Sequence, residues 1–238
     1  QSVASDKSLK YDFSPVTFNC IYGGEDYDAR QEQKGWNMAK FNDTLWNQVV
    51  VQEGPKGVLR PQIAAPVAIM EHYSPISATH LPDSLLAAAS KSTKRKVDAS
   101  AIVLDMGQNL AGFPEITVKG KKGQTVTILV AEALTPEGAC NQRHTGRQHY
   151  YQYTLKGDGE ETWHPRYSYN GFRYIKIECA TMQGEKNPQK LPVIKKIRSC
   201  FVYNSTPKVS TFECSNSIFN GAHRVIEKAV RSNMQGVF

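Results

Sequence analysis

Glu25, Asp26 and Asp28 crowd together behind two glycines, Gly23 and Gly24, with Tyr27 among them and Arg30 just beyond. Carboxylates this close repel one another, so a cation or an arginine has to offset them. Oxygen ligands on a glycine-opened loop suit calcium, and Trp36 or Trp46 offers an indole face on which a sugar ring can stack. The plainer alternative is that Arg30 satisfies Asp28 and the loop is a well-bonded turn, because one loop alone does not complete a calcium ligand set.

Other chemistries find less support. There is no Gly-x-Ser-x-Gly elbow, no cysteine beside an evident histidine partner, no phosphate-binding glycine loop and no dinucleotide fingerprint. His144, His149 and His164 lie among aromatic strand residues, where a histidine is expected to act as a structural hydrogen-bonder. Glycoside hydrolysis needs two carboxyl groups flanking the bond, roughly 5 to 10 Å apart. Glu132, Glu137, Glu160 and Glu161 are available, but Glu160 and Glu161 are expected in a turn facing water. Glu132 and Glu137 stay open on the residues alone, and none is singled out as catalytic.

Five cysteines, Cys20, Cys140, Cys179, Cys200 and Cys214, are never two or three residues apart, which argues against a zinc site and against a dense disulfide scaffold. One bridge stays open. At 238 residues, 40% hydrophobic and 21% charged, the composition is that of an ordinary folded protein without a membrane span. The net charge of +7 is dispersed apart from Lys91, Lys94, Arg95 and Lys96 in one stretch and Lys195, Lys196 and Arg198 in another. Such runs read as solvated faces, so neither a nucleic acid nor a membrane is expected as partner.

The elements that would position these residues are mostly strands. Residues 101–105 form an apolar run. Ile116 and Val118 alternate, and Val126, Ile128 and Val130 follow a five-residue loop of hairpin length. Tyr151, Tyr153 and Leu155 alternate before the turn Gly157-Asp158-Gly159. Trp163, Tyr167 and Tyr169 come next, then Ile175 and Ile177, then residues 193–203. This reads as a mainly β chain with two antiparallel, jelly-roll-like β-sandwich domains. The first is expected over 1–72, where few clean strands stand out, and the second over 73–205. Residues 206–238 form a linker and a single helix. Residues 85–89 read as a helical turn, weakly patterned among polar neighbours.

The helix carries Ile218, Phe219, Ala222, Val225, Ile226, Ala229, Val230, Met234 and Val237 in one stripe, with Ser215 or Asn216 as N-cap. No helix of similar strength stands upstream to cover it. The expectation is that the chain is an excerpt of a larger protein whose chemistry lies beyond Phe238.

Three blocks carry a resemblance. Tyr22-Gly-Gly-Glu-Asp-Tyr-Asp-Ala-Arg30 with Gly35-Trp36 and Phe41-Asn-Asp-Thr-Leu-Trp46 is similar to the N-terminal domain of bacterial α-L-rhamnosidases of glycoside hydrolase family 78. Asp105-Met-Gly-Gln-Asn-Leu-Ala-Gly112 with Ala131-Glu132, and the run from Leu155 to Arg166 leading into Gly171-Phe-Arg-Tyr174, resemble the β-sandwich domain of that family. Phe212-Glu-Cys-Ser-Asn216 and Arg231-Ser-Asn-Met-Gln235 resemble the first helix of its helical barrel. The resemblance implies an extracytoplasmic inverting glycosidase acting on rhamnose-containing glycans. Its catalytic carboxylates would sit in a helical barrel, here missing, of the same polypeptide, and earlier strands would precede this chain. It also implies a calcium ion beside a sugar, held by Asp28 and by the carbonyls of Ala29 and Pro66, with Glu25, Asp28, Arg30 and Trp36 as sugar contacts. The alternatives are a stand-alone calcium-dependent rhamnose-binding module, or an interaction scaffold that dimerises through its helix.

Overall fold

The structure, a computed structural model, describes residues 5–54, 56–58, 60–82, 101–145 and 149–235. The possible turn at 85–89 and the basic cluster at 91–96 lie outside them, as does the side chain of His144. The strands in chain order are β1 (Lys10–Tyr11), β2 (Val16–Cys20), β3 (Gly24–Asp28), β4 (Asn47–Gln48), β5 (Val67–Tyr73), β6 (Ser77–His80), β7 (Ala101–Lys119) and β8 (Thr125–Ala131). They continue with β9 (Ala133–Leu134), β10 (Cys140–Asn141), β11 (Tyr150–Thr154), β12 (Glu160–Trp163), β13 (Asn170–Glu178), β14 (Thr181–Met182) and β15 (Val193–Asn204). One helix, α1 (Ser217–Asn233), follows. No described helix is long and apolar enough to cross a membrane.

The long strand β7 organises both layers. Its first half pairs with β13 on one edge and β6 on the other, and β13 continues through β8 and β11 to β3 and β2. Its second half pairs instead with β15 and β12, and β15 carries β5 and β14. The exchange of partners falls at Gly112, which faces Asn170 of β13 and Phe201 of β15. A Cβ there would lie 1.9 Å from the carbonyl oxygen of Cys200, so only glycine lets the two strands approach.

Alternate residues of both layers then meet in one core. Ile102, Leu104 and Met106 from the first half of β7 and Ile116 and Val118 from its second half are buried with Val126, Ile128 and Val130, with Ile175 and Ile177, and with Ile194, Ile197 and Phe201. Each such side chain contributes about 1.5–3 kcal/mol relative to exposure, and period-two alternation delivers them all to the sandwich interior. The outer face of the first layer has a smaller cluster of Leu81, Ala101 and Val103, with Leu134 and Cys140 from the β9–β10 hairpin packed against it. There Lys176 and Glu178 form a buried ion pair at 2.7 Å.

The mainly β class with a single C-terminal helix is what the strand periodicity indicates. Several pairings differ from expectation. Lys119 to Thr125 does not close a hairpin, because β7 at that point belongs to the second layer and β8 to the first; the alternation reports which residues face inward, not which strands pair. Residues 157–159 likewise cross between layers. Two pairs are parallel, β3 with β11 and β14 with β15. Among the described residues, β2, β3 and β5 join these same sheets instead of closing a second sandwich; β2 buries too little apolar surface to build a layer of its own.

Helix α1 starts where Asn216 Oδ1 accepts from the Ile218 backbone N–H at 2.9 Å. Its charged face meets the second layer. Glu71 on β5 accepts from Lys228 Nζ at 2.7 Å, from Arg231 Nη1 at 3.2 Å, from Tyr73 Oη at 2.6 Å and from Tyr203 Oη at 3.0 Å. Burial alone would raise the Glu71 pKa, but the hydrogen bonds from Lys228, Tyr73 and Tyr203 outweigh it and hold it at about 2. That contribution is present above the ordinary carboxylate range and fades as pH falls through about 2. The Asn204 N–H donates to the Met234 carbonyl at 2.8 Å, fixing the far end. The apolar stripe points away, with Ile218 76% and Val225 70% exposed.

Gly112→Ala should cost about 2–3 kcal/mol or more, a fall of roughly 5–10 °C in Tm by thermal unfolding. Gly54→Ala, where an added Cβ meets nothing within 4 Å, should leave Tm unchanged. Equal Tm values for the two variants would contradict the pivot.

Candidate functional site

The acidic block lies in strand β3, not in an open loop. Gly24 has φ of +98°, and a Cβ on it would fall 1.8 Å from the Tyr150 carbonyl oxygen, so glycine is required where β3 runs beside β11. Glu25 follows and is fully buried. Its carboxylate accepts from the backbone N–H of Arg166 at 2.9 and 3.0 Å, from that of Tyr167 at 3.0 Å and from Asn19 Nδ2 at 3.2 Å. Glu25, expected as a sugar contact, is therefore corrected to a structural carboxylate that binds the 166–167 backbone. Having no exposed surface, it cannot meet a ligand.

Asp28 ends β3 and caps a short turn over Ala29–Gln31. Arg30 grips it in a fork, with Nε donating to Oδ1 at 2.8 Å and Nη2 to Oδ2 at 2.8 Å. The Arg30 N–H adds 3.1 Å to Oδ1 and Gln31 Nε2 adds 3.2 Å to Oδ2. The hydrogen bonds from Arg30, against some burial, hold the Asp28 carboxyl at about 2.

A calcium ion fits this arrangement poorly. The guanidinium occupies both oxygens, the Ala29 carbonyl accepts from the Glu32 N–H at 3.2 Å, and the Pro66 carbonyl accepts from the Ser205 N–H at 3.0 Å. Pro66 precedes β5, which pairs with β15, whereas β3 lies between β2 and β11. Among the described residues no three His, Cys, Asp or Glu side chains converge as a metal cluster. Trp36 is 63% exposed and open as a stacking surface, while Trp46 donates from Nε1 to Gln33 at 2.8 Å.

Glu161 and two of the histidines are taken up by the fold. Glu161, expected to face water, is buried: it accepts from Tyr153 Oη at 2.8 Å and from the N–H groups of Lys156 and Gly157 at 3.0 and 2.8 Å. Tyr153 in turn stacks on Tyr27 and Trp163. His164 stacks on Phe113 with centroids 4.8 Å apart, and His149 is buried. Cys20, Cys140, Cys200 and Cys214 form no disulfide among the described residues, and burial pushes the Cys140 and Cys200 thiols up to about 12.

Residues not singled out together in the sequence do converge elsewhere. A cleft of about 560 Å³ opens where the last turn of α1 approaches the sandwich, lined by Glu132, Tyr169, Gly171, Ser232, Asn233 and Gln235. On the same strands, Arg173 Nε and Nη2 donate to Asp105 at 2.8 and 2.7 Å. The run Asp105 to Gly112 and the pair Ala131-Glu132 meet here through Asn109 Nδ2, which donates to Glu132 Oε1 at 3.0 Å.

Comparison with known proteins agrees with this architecture. Residues 1–71 match the family model described as the α-L-rhamnosidase N-terminal domain, and residues 95–203 match that of the bacterial α-L-rhamnosidase concanavalin-like domain. An α-L-rhamnosidase of Formosa agariphila is 31% identical over 98% of this chain, which covers 23% of that protein. The solved α-L-rhamnosidase of Dictyoglumus thermophilum superposes with a TM-score of 0.79 at 29% identity, over 98% of this chain and 24% of that one. The Streptomyces avermitilis α-L-rhamnosidase, solved in complex with L-rhamnose, gives 0.77 at 27% identity, over 99% of this chain and 21% of that one. The chain belongs to the bacterial α-L-rhamnosidase family, glycoside hydrolase family 78, as its N-terminal and concanavalin-like region. It spans less than a quarter of the length of these relatives.

Neither millimolar calcium nor a chelator should move the Tm of the chain by more than about 1 °C, since an ion at a hundred times its Kd would add about 2.7 kcal/mol. A calcium-dependent rise of several degrees, lost in Asp28→Ala, would restore the metal site.

Proposed function

We propose that this chain is the accessory β-sandwich portion of an α-L-rhamnosidase that removes terminal α-L-rhamnose from glycans, with the catalytic carboxylates elsewhere in the whole polypeptide. The observation that carries this reading is the orientation of α1. Its charged face is committed to Glu71, and its apolar stripe faces outward. A stripe of that width is the buried face of a helix–helix contact. The sandwich thus presents a prepared first helix to a helical domain.

Chemistry supports the same division. Inverting hydrolysis needs an acid and a base about 6.5–9.5 Å apart. The cleft beside α1 is lined by a single acid, Glu132. Asp28, Asp105 and Glu71 are each neutralised by arginine or lysine, and Glu25 and Glu161 are buried against backbone N–H groups. On this reading Asp28 is held by Arg30 and not by calcium, and the acidic block orders the edge of the first layer.

The purified chain should show no turnover of an aryl α-L-rhamnoside and should run as a species whose association depends on the stripe. Light scattering of wild type against the Ile218→Lys, Val225→Lys double variant measures this, with the variant monomeric and its Tm unchanged. Turnover abolished by substituting a residue within the chain would overturn the proposal. So would a double variant that unfolds, because the stripe would then be core of this unit.

A further inference from the structure

We propose that the cleft between the sandwich and the end of α1 is a saccharide-binding site, separate from the acidic block of β3. The volume of about 560 Å³ lies within the range of small-molecule sites, about 300–1,000 Å³. Two side-chain acceptors on its lining are open. Glu132 spends Oε1 on Asn109, leaving Oε2 without a protein donor among the described residues. Asn233 donates through Nδ2 to the Ala229 carbonyl at 2.8 Å, which leaves its Oδ1 for a ligand.

Gln235 closes the cleft at its inner end by tying the end of α1 to β15. Its Nε2 donates to the carbonyls of Val202 at 3.1 Å and Ser232 at 3.3 Å, while its Oε1 is buried with no hydrogen-bond partner among the described residues.

A ligand that fits this cleft donates to Glu132 and Asn233 at once. It must also present an apolar face to Tyr169, which lines the cleft and is 49% exposed. Gly171 keeps the floor low, since a Cβ there would press on Glu132 Oε1 at 3.1 Å. A neutral ring bearing hydroxyls on its edge and C–H groups on its face meets both demands, and that is a pyranose. This proposal rests on the rhamnosidase reading only for the identity of the sugar.

The test titrates the whole chain with L-rhamnose, and in parallel with D-galactose, following amide chemical shifts. Saturable shifts at residues 132, 169 and 233 with a millimolar Kd are expected, weakened about tenfold or more by Tyr169→Ala and by Glu132→Gln. Asp28→Ala and chelator should leave them unchanged. Saturable binding of galactose and not rhamnose at these residues sustains the cleft and removes the rhamnose reading. Absence of saturable shifts for either sugar at about 50 mM overturns the proposal. Binding indifferent to both cleft substitutions, or lost only in Asp28→Ala, also overturns it while leaving the accessory role of the chain untouched.

Discussion

The four donors that converge on Glu71 decide how this molecule meets whatever packs against it. Two tyrosine hydroxyls from the sheet and two cationic side chains from α1 share one carboxylate. Such a network is worth more than an isolated surface pair, because each donor polarises and orients the others. Lys228 also sits over the rings of Tyr73 and Phe201, and Arg231 over Tyr203, at 5.2–5.3 Å. Once the charged face is fixed this way, the opposite face of the helix has only one direction to point, and it carries Ile218, Val225 and Val230 outward.

The docking surface for α1 exists because β7 serves two layers. By changing partners at Gly112 it hands β15 and β5 to the second layer, and these strands bring Tyr203 and Glu71 under the helix. Just before this exchange Ala111 pairs with Gly171, where the cleft opens. A glycine forced by a carbonyl 1.9 Å from its would-be Cβ thus links the shape of the sandwich to both of its prepared surfaces.

Much of this was legible in the sequence. The alternation of Val126, Ile128 and Val130 marks β8 and its inward face, and the stripe from Ile218 to Val230 marks α1 with its cap at Asn216. Pairing was not legible, because a period of two says which residues face the core and nothing of which strand lies alongside; hence the apparent hairpin between β7 and β8. Acid roles were equally hidden. Glu25 and Glu161 look like surface carboxylates until the backbone N–H groups of Arg166 and Gly157 fold onto them. The resemblance placed the chain in its family, but the calcium set it implied ignores the Arg30 fork, which the plain reading of the Asp28 and Arg30 spacing already offered. The cleft draws on residues from Glu132 to Gln235, too far apart in sequence to announce themselves.

The central claim is that α1 is held by its charged face and leaves its apolar face free. Hydrogen exchange of the α1 backbone amides at neutral pH, in wild type, Glu71→Gln and Val225→Asp, tests it most directly. The account predicts that Glu71→Gln speeds exchange along α1 by about tenfold or more, and that Val225→Asp leaves it within about twofold of wild type. Faster exchange in Val225→Asp with none in Glu71→Gln would contradict it, because the helix would then be held by its stripe.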